Sequence, residues 1–271
     1  MTRKELIEQI KKKRSYLCIG LDTDPSKIPV HLLAGSDPLF SFNKSIIDST
    51  RDYCVSYKIN TAFYEAEGLK GWEAMERTVR YIGNDHLKIA DAKRGDIGNT
   101  SAQYAKAFFE NLPFDAITVT PYMGEDSIAP FLEHDGKWTI VLGLTSNKGA
   151  DDFERLVTDN GFVYENVIRK SVSWGNTANL MFVVGATQAD SFENIRKLAP
   201  GHFFLVPGVG AQGGSLKEIS EKAMNRDCGI LVNISRAIIY ASDREDFADK
   251  AAEVASSFQE EMEQYLKLQE I

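Results

Sequence analysis

The stretch LKIADAKRGDIGNT, residues 87 to 100, opens as an apolar-leaning run that reads as a β-strand and closes with Asp91, Lys93, Arg94 and Asp96 inside six positions. On a surface loop such mixed charges are cheap, because water screens them. At the end of a buried strand they converge on something. Side chains alternate along a strand, so Asp91 and Lys93 share a face, and Asp96 follows in the turn before the next helical pattern.

Seven further runs of the same kind flank this one: YLCIGLD (16 to 22), CVSYKIN (54 to 60), AITVTPY (116 to 122), WTIVLGLT (138 to 145), LMFVVGAT (180 to 187), FFLVPGV (203 to 209) and GILVNIS (229 to 235). Helical patterns lie between them, among them Asn99 to Leu112 and Ser215 to Met224, the second opening with the capping-box spacing Ser215 to Glu218. Eight strands alternating with helices over 271 residues predict an α/β fold, a (β/α)8 TIM barrel forming a single domain over residues 1 to 271. A doubly wound sheet usually has fewer strands. The N-terminal segment MTRKELIEQIKKKRS predicts a leading helix, with Thr2 and Glu5 at capping-box spacing. The connection at about 146 to 179 exceeds one helix, and its internal Asn160-Gly161 predicts two helices joined by a turn.

A formal net charge of -8 disfavours general affinity for nucleic acid or an anionic membrane, and leaves room for a local basic pocket that holds one phosphate. The N-terminus lacks the apolar core of a signal peptide, and no run approaches the roughly 18 apolar residues of a membrane span. Cys18, Cys54 and Cys228 each stand alone in apolar segments, as buried free thiols of a cytoplasmic protein would.

In such a barrel the catalytic groups project from the C-terminal strand ends. The first strand ends in Asp22, the second carries Lys58 and Asn60, and the third carries Asp91 and Lys93. The fifth ends in Thr145 and Ser146, the seventh runs into PGVGAQGG (207 to 214), and the eighth ends in Ser235 and Arg236. By themselves Asp91 and Lys93 could be an ion pair plugging the barrel mouth; Asp22 and Lys58 on neighbouring strands favour a charged cavity. Loops after the last two strands often build a phosphate site from backbone N–H groups, and Arg236 adds a fixed positive fork. Gly208, Gly210, Gly213 and Gly214 would let that loop approach an anion or move as a lid, with Gln212 as its polar hand; a plain flexible loop is the alternative.

His31, His86, His134 and His202 read as surface or loop residues, and no pair has metal-ligand spacing. Glu65 and Glu67 read as loop or helix-start residues. No GxGxxG opens a helix after the first strand, and neither a Walker loop nor a Ser-His-Asp arrangement can be placed at the mouth, so nicotinamide, nucleoside-triphosphate and acyl-transfer chemistry lose ground.

The run DAKRGDIGNT resembles the Asp-x-Lys-x-x-Asp-Ile signature of the orotidine 5'-phosphate decarboxylases, in the form of one bacterial subgroup. The likeness continues through GLDTDP at 20 to 25, YKIN at 57 to 60, TPYMGEDS at 120 to 127, GLTSN at 143 to 147, PGVGAQGG at 207 to 214 and SRAI at 235 to 238. It implies cofactor-free, metal-free decarboxylation of orotidine 5'-monophosphate to uridine 5'-monophosphate, the closing step of pyrimidine nucleotide synthesis. By matching motif positions, Lys93 is implied as proton donor to the carbon that loses carbon dioxide, with Asp91 beside the departing carboxylate and Lys58 tying the row together on the ribose side. Asp96, Ile97 and Thr100 are implied to reach into a partner subunit's site, hence a homodimer. Asp22 would bind ribose hydroxyls, Thr145 or Ser146 the pyrimidine ring, and Gln212 with Arg236 the phosphate, with Pro207 and Ser235 also at substrate-binding positions. The chain departs from the pattern at Ser235, where relatives often have glycine, and at Ile59, where many have proline.

That chemistry suits a charged row. Loss of carbon dioxide leaves an electron pair on a ring carbon with no cofactor to accept it, so the protein must stabilise that charge or protonate it as it forms. An attraction between unit charges at about 4 Å rises from roughly 1 kcal/mol in water to roughly 4 kcal/mol at an effective dielectric near 20. Two alternatives stay open: a Mg2+-dependent sugar-phosphate decarboxylase or aldolase-type barrel enzyme sharing the Asp-x-Lys-x-x-Asp turn, and a non-catalytic nucleotide-binding barrel.

Overall fold

Eight parallel strands close on themselves: β1 (Leu17–Gly20), β2 (Ser56–Asn60), β3 (Leu87–Arg94), β4 (Ala116–Val119), β5 (Trp138–Leu144), β6 (Leu180–Val184), β7 (Phe203–Pro207) and β8 (Ile230–Ile234). The computed structural model describes residues 1–210 and 213–271. Each strand pairs with its sequence neighbours and β8 returns to β1, as the (β/α)8 expectation requires. A parallel strand sheathed by helices is covered on both faces and so reads as a continuous apolar run. Accordingly β1, β4, β6 and β8 are buried at every position.

The leading helix Arg3–Lys13 opens with the expected reciprocal cap between Thr2 and Glu5. It lies under the N-terminal side of the barrel, where the Trp138 indole donates to the Met1 carbonyl at 2.9 Å and Arg3 donates to the Thr177 and Gly201 carbonyls. The helix after β3, Gly98–Lys106, continues into a wider π turn at Ala107–Asn111. No helix among the described residues is long and apolar enough to cross a membrane, and all three cysteines are buried and free.

Within the connection between β5 and β6, the turn that joins the two helices Ala150–Phe153 and Val163–Val172 is an antiparallel hairpin, Val157–Thr158 with Gly161–Phe162. Gly161 adopts φ +98°, which a residue without Cβ enters freely, and its carbonyl accepts from the Thr158 hydroxyl at 2.6 Å. Asn160-Gly161 therefore marks a strand reversal. Two of the histidines lie in loops but away from the surface. His86 and His202 are buried just ahead of β3 and β7, at the barrel end opposite the charged strand ends. Burial, with Lys13 or with Arg3 and Arg196 nearby, lowers each to about 4, so both are neutral fillers near pH 7.

Candidate active site

One cavity of about 270 Å3 opens at the C-terminal strand ends. It gathers Asp22, Lys58, Asn60, Asp91 and Lys93 on one side and Pro207, Gly208, Ser235 and Arg236 on the other, with Thr145 and Ser146 between them. Leu142, Val183 and Leu205 supply an apolar floor.

The charged residues form an unbroken alternating row. Lys58 Nζ donates to Asp22 Oδ1 at 3.3 Å and to Asp91 Oδ2 at 3.0 Å, and Lys93 Nζ donates to Asp91 Oδ1 at 2.6 Å. The strand register brings them together, since β1 sets Gly20 beside Lys58 and β2 sets Asn60 beside Asp91. The Lys58 side chain is 4% exposed, whereas that of Lys93 is 51% exposed and points into the open cavity. Burial alone would raise the Asp91 carboxyl, but the Lys58 and Lys93 ammoniums outweigh it and hold the group well below the usual carboxylate range. Burial likewise works against the Lys58 charge, and Asp91 and Asp22 reverse it, leaving Lys58 above its ordinary value. Asp91 and Lys58 are therefore both charged at neutral pH.

Lys93 takes φ +45°, the left-handed region that a residue bearing Cβ enters at a cost of roughly 1–3 kcal/mol. The simple alternation that put Asp91 and Lys93 on one face in the sequence is thus replaced by a bulged strand end: β3 shifts register against β4 between Ala90 and Arg94. Arg94 turns away from the cavity, pairs with Glu65 and lies over the rings of Tyr104 and Phe108, at 5.4 Å from each centroid. Glu65 is therefore a rim support on the short helix Thr61–Glu65, and Glu67 stands at the N-terminal boundary of the helix that follows without a capping hydrogen bond.

Asp96, Ile97 and Thr100 do not line the cavity. Asp96 Oδ1 accepts from the Ile97 N–H at 2.8 Å, and Ile97 is 56% exposed on the same rim. Within the described residues Asp91 is the one carboxylate in ion-pair contact with Lys93. Gln212 lies outside the described residues.

After β5, Thr145 is engaged by protein: its N–H and hydroxyl donate to Glu154 at 2.7 and 2.8 Å. Ser146 and Asn147 line the cavity beside it, with the Asn147 side-chain amide 2.6 Å from the Thr145 hydroxyl. At the eighth strand end, Ser235 fits because of its neighbour across the sheet. A Cβ on Gly20 would lie 1.8 Å from Ser235 Oγ, so that glycine makes room for the hydroxyl. Arg236, exposed at the start of the short helix Arg236–Ile239, lines the same cavity as Pro207 and Gly208.

The sequence reading missed Asn147, Asn233, Glu154 and Thr118. Asn233 could have been found by alternation, two positions before Ser235 on β8. Glu154 could not, because only the folded connection brings it back to Thr145.

A model of the orotidine 5'-phosphate decarboxylase / HUMPS family matches residues 15–251. The chain is 57% identical over 270 residues to the orotidine 5'-phosphate decarboxylase of Phocaeicola vulgatus, covering 98% of this chain and 99% of that protein. Among solved structures it is similar to Leishmania donovani OMP decarboxylase, at 35% identity and a TM-score of 0.81, over 96% of this chain and 99% of the other. It is also similar to Leishmania donovani UMP synthase, at 37% identity and a TM-score of 0.82, over 94% of this chain and 56% of that longer one.

Proposed function

The chain belongs to the orotidine 5'-phosphate decarboxylase / HUMPS family, and from that premise we propose that it decarboxylates orotidine 5'-monophosphate to uridine 5'-monophosphate in pyrimidine nucleotide synthesis. The observation that carries this reading is the alternating row Asp22, Lys58, Asp91, Lys93, set across one cavity from Arg236. With phosphate at Arg236 and the glycine loop, the pyrimidine ring lies toward Ser146 and Asn147 and the ribose toward Asp22 and Lys58. The bond to the substrate carboxylate breaks, carbon dioxide leaves, and the electron pair left on the ring carbon takes a proton from Lys93 Nζ. Asp91 orients that ammonium through its 2.6 Å contact. Binding energy from the remote phosphate can be used to hold the ring among the charges. Lys58 occupies an oxygen of both Asp22 and Asp91, an arrangement that favours an ion-pair row over a divalent-cation site.

The test is loss of orotidine 5'-monophosphate absorbance in the presence of EDTA. Full turnover is expected; no turnover, or turnover abolished by the chelator, overturns the proposal. We take the enzyme to act in the cytoplasm, where free thiols such as Cys18 stay reduced.

The half-buried Asp96 and the exposed Ile97 and Thr100 on this rim support a homodimer in which it completes the partner's site. Mixing inactive Asp96→Asn and Lys93→Ala subunits should restore about a quarter of wild-type activity, since half of the dimers are hybrids with one intact site each. Mixtures that stay inactive while exchanging subunits would remove the shared site.

A further inference from the structure

We infer that Thr118, a residue outside the cavity, is the positioning residue that sets the Asp91–Lys93 pair for proton delivery. The inference rests on the decarboxylase reading above and deepens it. In the β3–β4 ladder Ala90 pairs with Ile117 and Arg94 with Val119, so Asp91, Ala92 and Lys93 all stand opposite Thr118 alone. Such a bulge interrupts the ladder and re-aims its side chains, and it leaves backbone groups in need of other partners.

Thr118 supplies them. It is fully buried, and its hydroxyl accepts from the Lys93 backbone N–H at 2.9 Å. The same hydroxyl donates to Asp91 Oδ1 at 3.0 Å, the oxygen that also holds Lys93 Nζ at 2.6 Å. A hydroxyl has one proton and two lone pairs, and here the carboxylate takes the proton while a lone pair receives the amide. Both ends of Lys93, main chain and ammonium, are therefore referred to one oxygen on the neighbouring strand. The strained φ +45° of Lys93 is a conformation that persists only where surroundings over-determine it, and this closed ring of contacts does so. Without the hydroxyl, Lys93 can relax toward an ordinary strand conformation and carry its Nζ away from the reacting carbon.

Thr118→Val keeps the branched shape and deletes the hydrogen bonds; Thr118→Ser keeps the hydroxyl. Decarboxylation is measured per folded site, with sites counted by uridine 5'-monophosphate titration. The valine variant should lose roughly 10- to 100-fold in kcat, the scale expected when a reacting group is displaced by about an ångström. Its affinity for uridine 5'-monophosphate should stay within about two-fold of wild type, and the serine variant should recover kcat to within a few-fold. A valine variant with wild-type kcat overturns the inference. So does one that loses kcat and nucleotide affinity together, which is the mark of a merely structural residue, or a serine variant as impaired as valine. Should the valine variant fail to fold, Thr118→Ala carries the same readouts. A wild-type chain that does not turn over orotidine 5'-monophosphate sinks the proposed function; an unaffected Thr118→Val in an active enzyme sinks only the role of Thr118.

Discussion

Replacing Lys58 by methionine tests the charged row as a structural unit apart from turnover. The Lys58 ammonium is 4% exposed and sits 3.3 Å from Asp22 and 3.0 Å from Asp91, whose side chains are 20% and 12% exposed. At an effective dielectric near 20 each contact is worth about 5 kcal/mol of attraction, and the desolvation of the buried ammonium offsets several kcal/mol of it. Breaking a buried pair by removing one partner typically costs about 3–5 kcal/mol, because the other charge is left uncompensated. Here the lower figure applies, about 3 kcal/mol, since Lys93 still rests on Asp91. For a chain of this size that is a fall in Tm of roughly 6–12 °C, read by calorimetry at pH 7.

The pH dependence gives the prediction a second edge. The Asp91 carboxyl is depressed in the folded wild type, so its contribution is present above the ordinary carboxylate value near 4 and is lost as pH falls below it. Lys58 is raised, so its contribution is complete below the ordinary lysine value near 10.4 and is lost as pH rises beyond it. The wild type should therefore hold a plateau between those limits. In Lys58→Met the Asp91 carboxyl loses its largest favourable neighbour and rises, so protonation relieves the variant and its deficit should shrink as pH falls from 7 toward 4. A Tm within about 2 °C of wild type at pH 7, or a deficit indifferent to pH over that range, would refute the reasoning.

Three further outcomes are expected. Lys93→Ala should lower kcat by at least roughly 10³-fold while uridine 5'-monophosphate still binds, by calorimetric titration; near-normal kcat would remove Lys93 as proton donor. Arg236→Ala should weaken uridine 5'-monophosphate binding roughly 10- to 100-fold and leave uridine binding unchanged, as loss of a charge-assisted bond to phosphate requires; unchanged nucleotide affinity counts against the phosphate site. Gly20→Ala should destabilise by about 1–3 kcal/mol through the collision with Ser235 Oγ, and adding Ser235→Gly should recover most of it; additive losses in denaturant titration would show the two positions to be uncoupled.

The amino-acid sequence by itself determined the eight strands and the end of the barrel on which chemistry collects. Apolar runs bounded by turn residues are local signals, and a charge placed at the C-terminal end of a buried strand has few places to go. The residues from Asp22 to Arg236 could therefore be assembled into one mouth before any coordinates. Local periodicity carries no information about partners brought close only by folding. Thr118 bonds to Asp91 across 27 positions and Ser235 stands over Gly20, while Glu154, just past the short helix Ala150–Phe153, folds back to hold Thr145. Tertiary structure alone decided that β3 bulges, that Lys93 takes a left-handed conformation, and that Glu154 holds Thr145. Those outcomes follow from which strand ends meet at the barrel mouth and which hydrogen-bonding groups remain unpaired when they do.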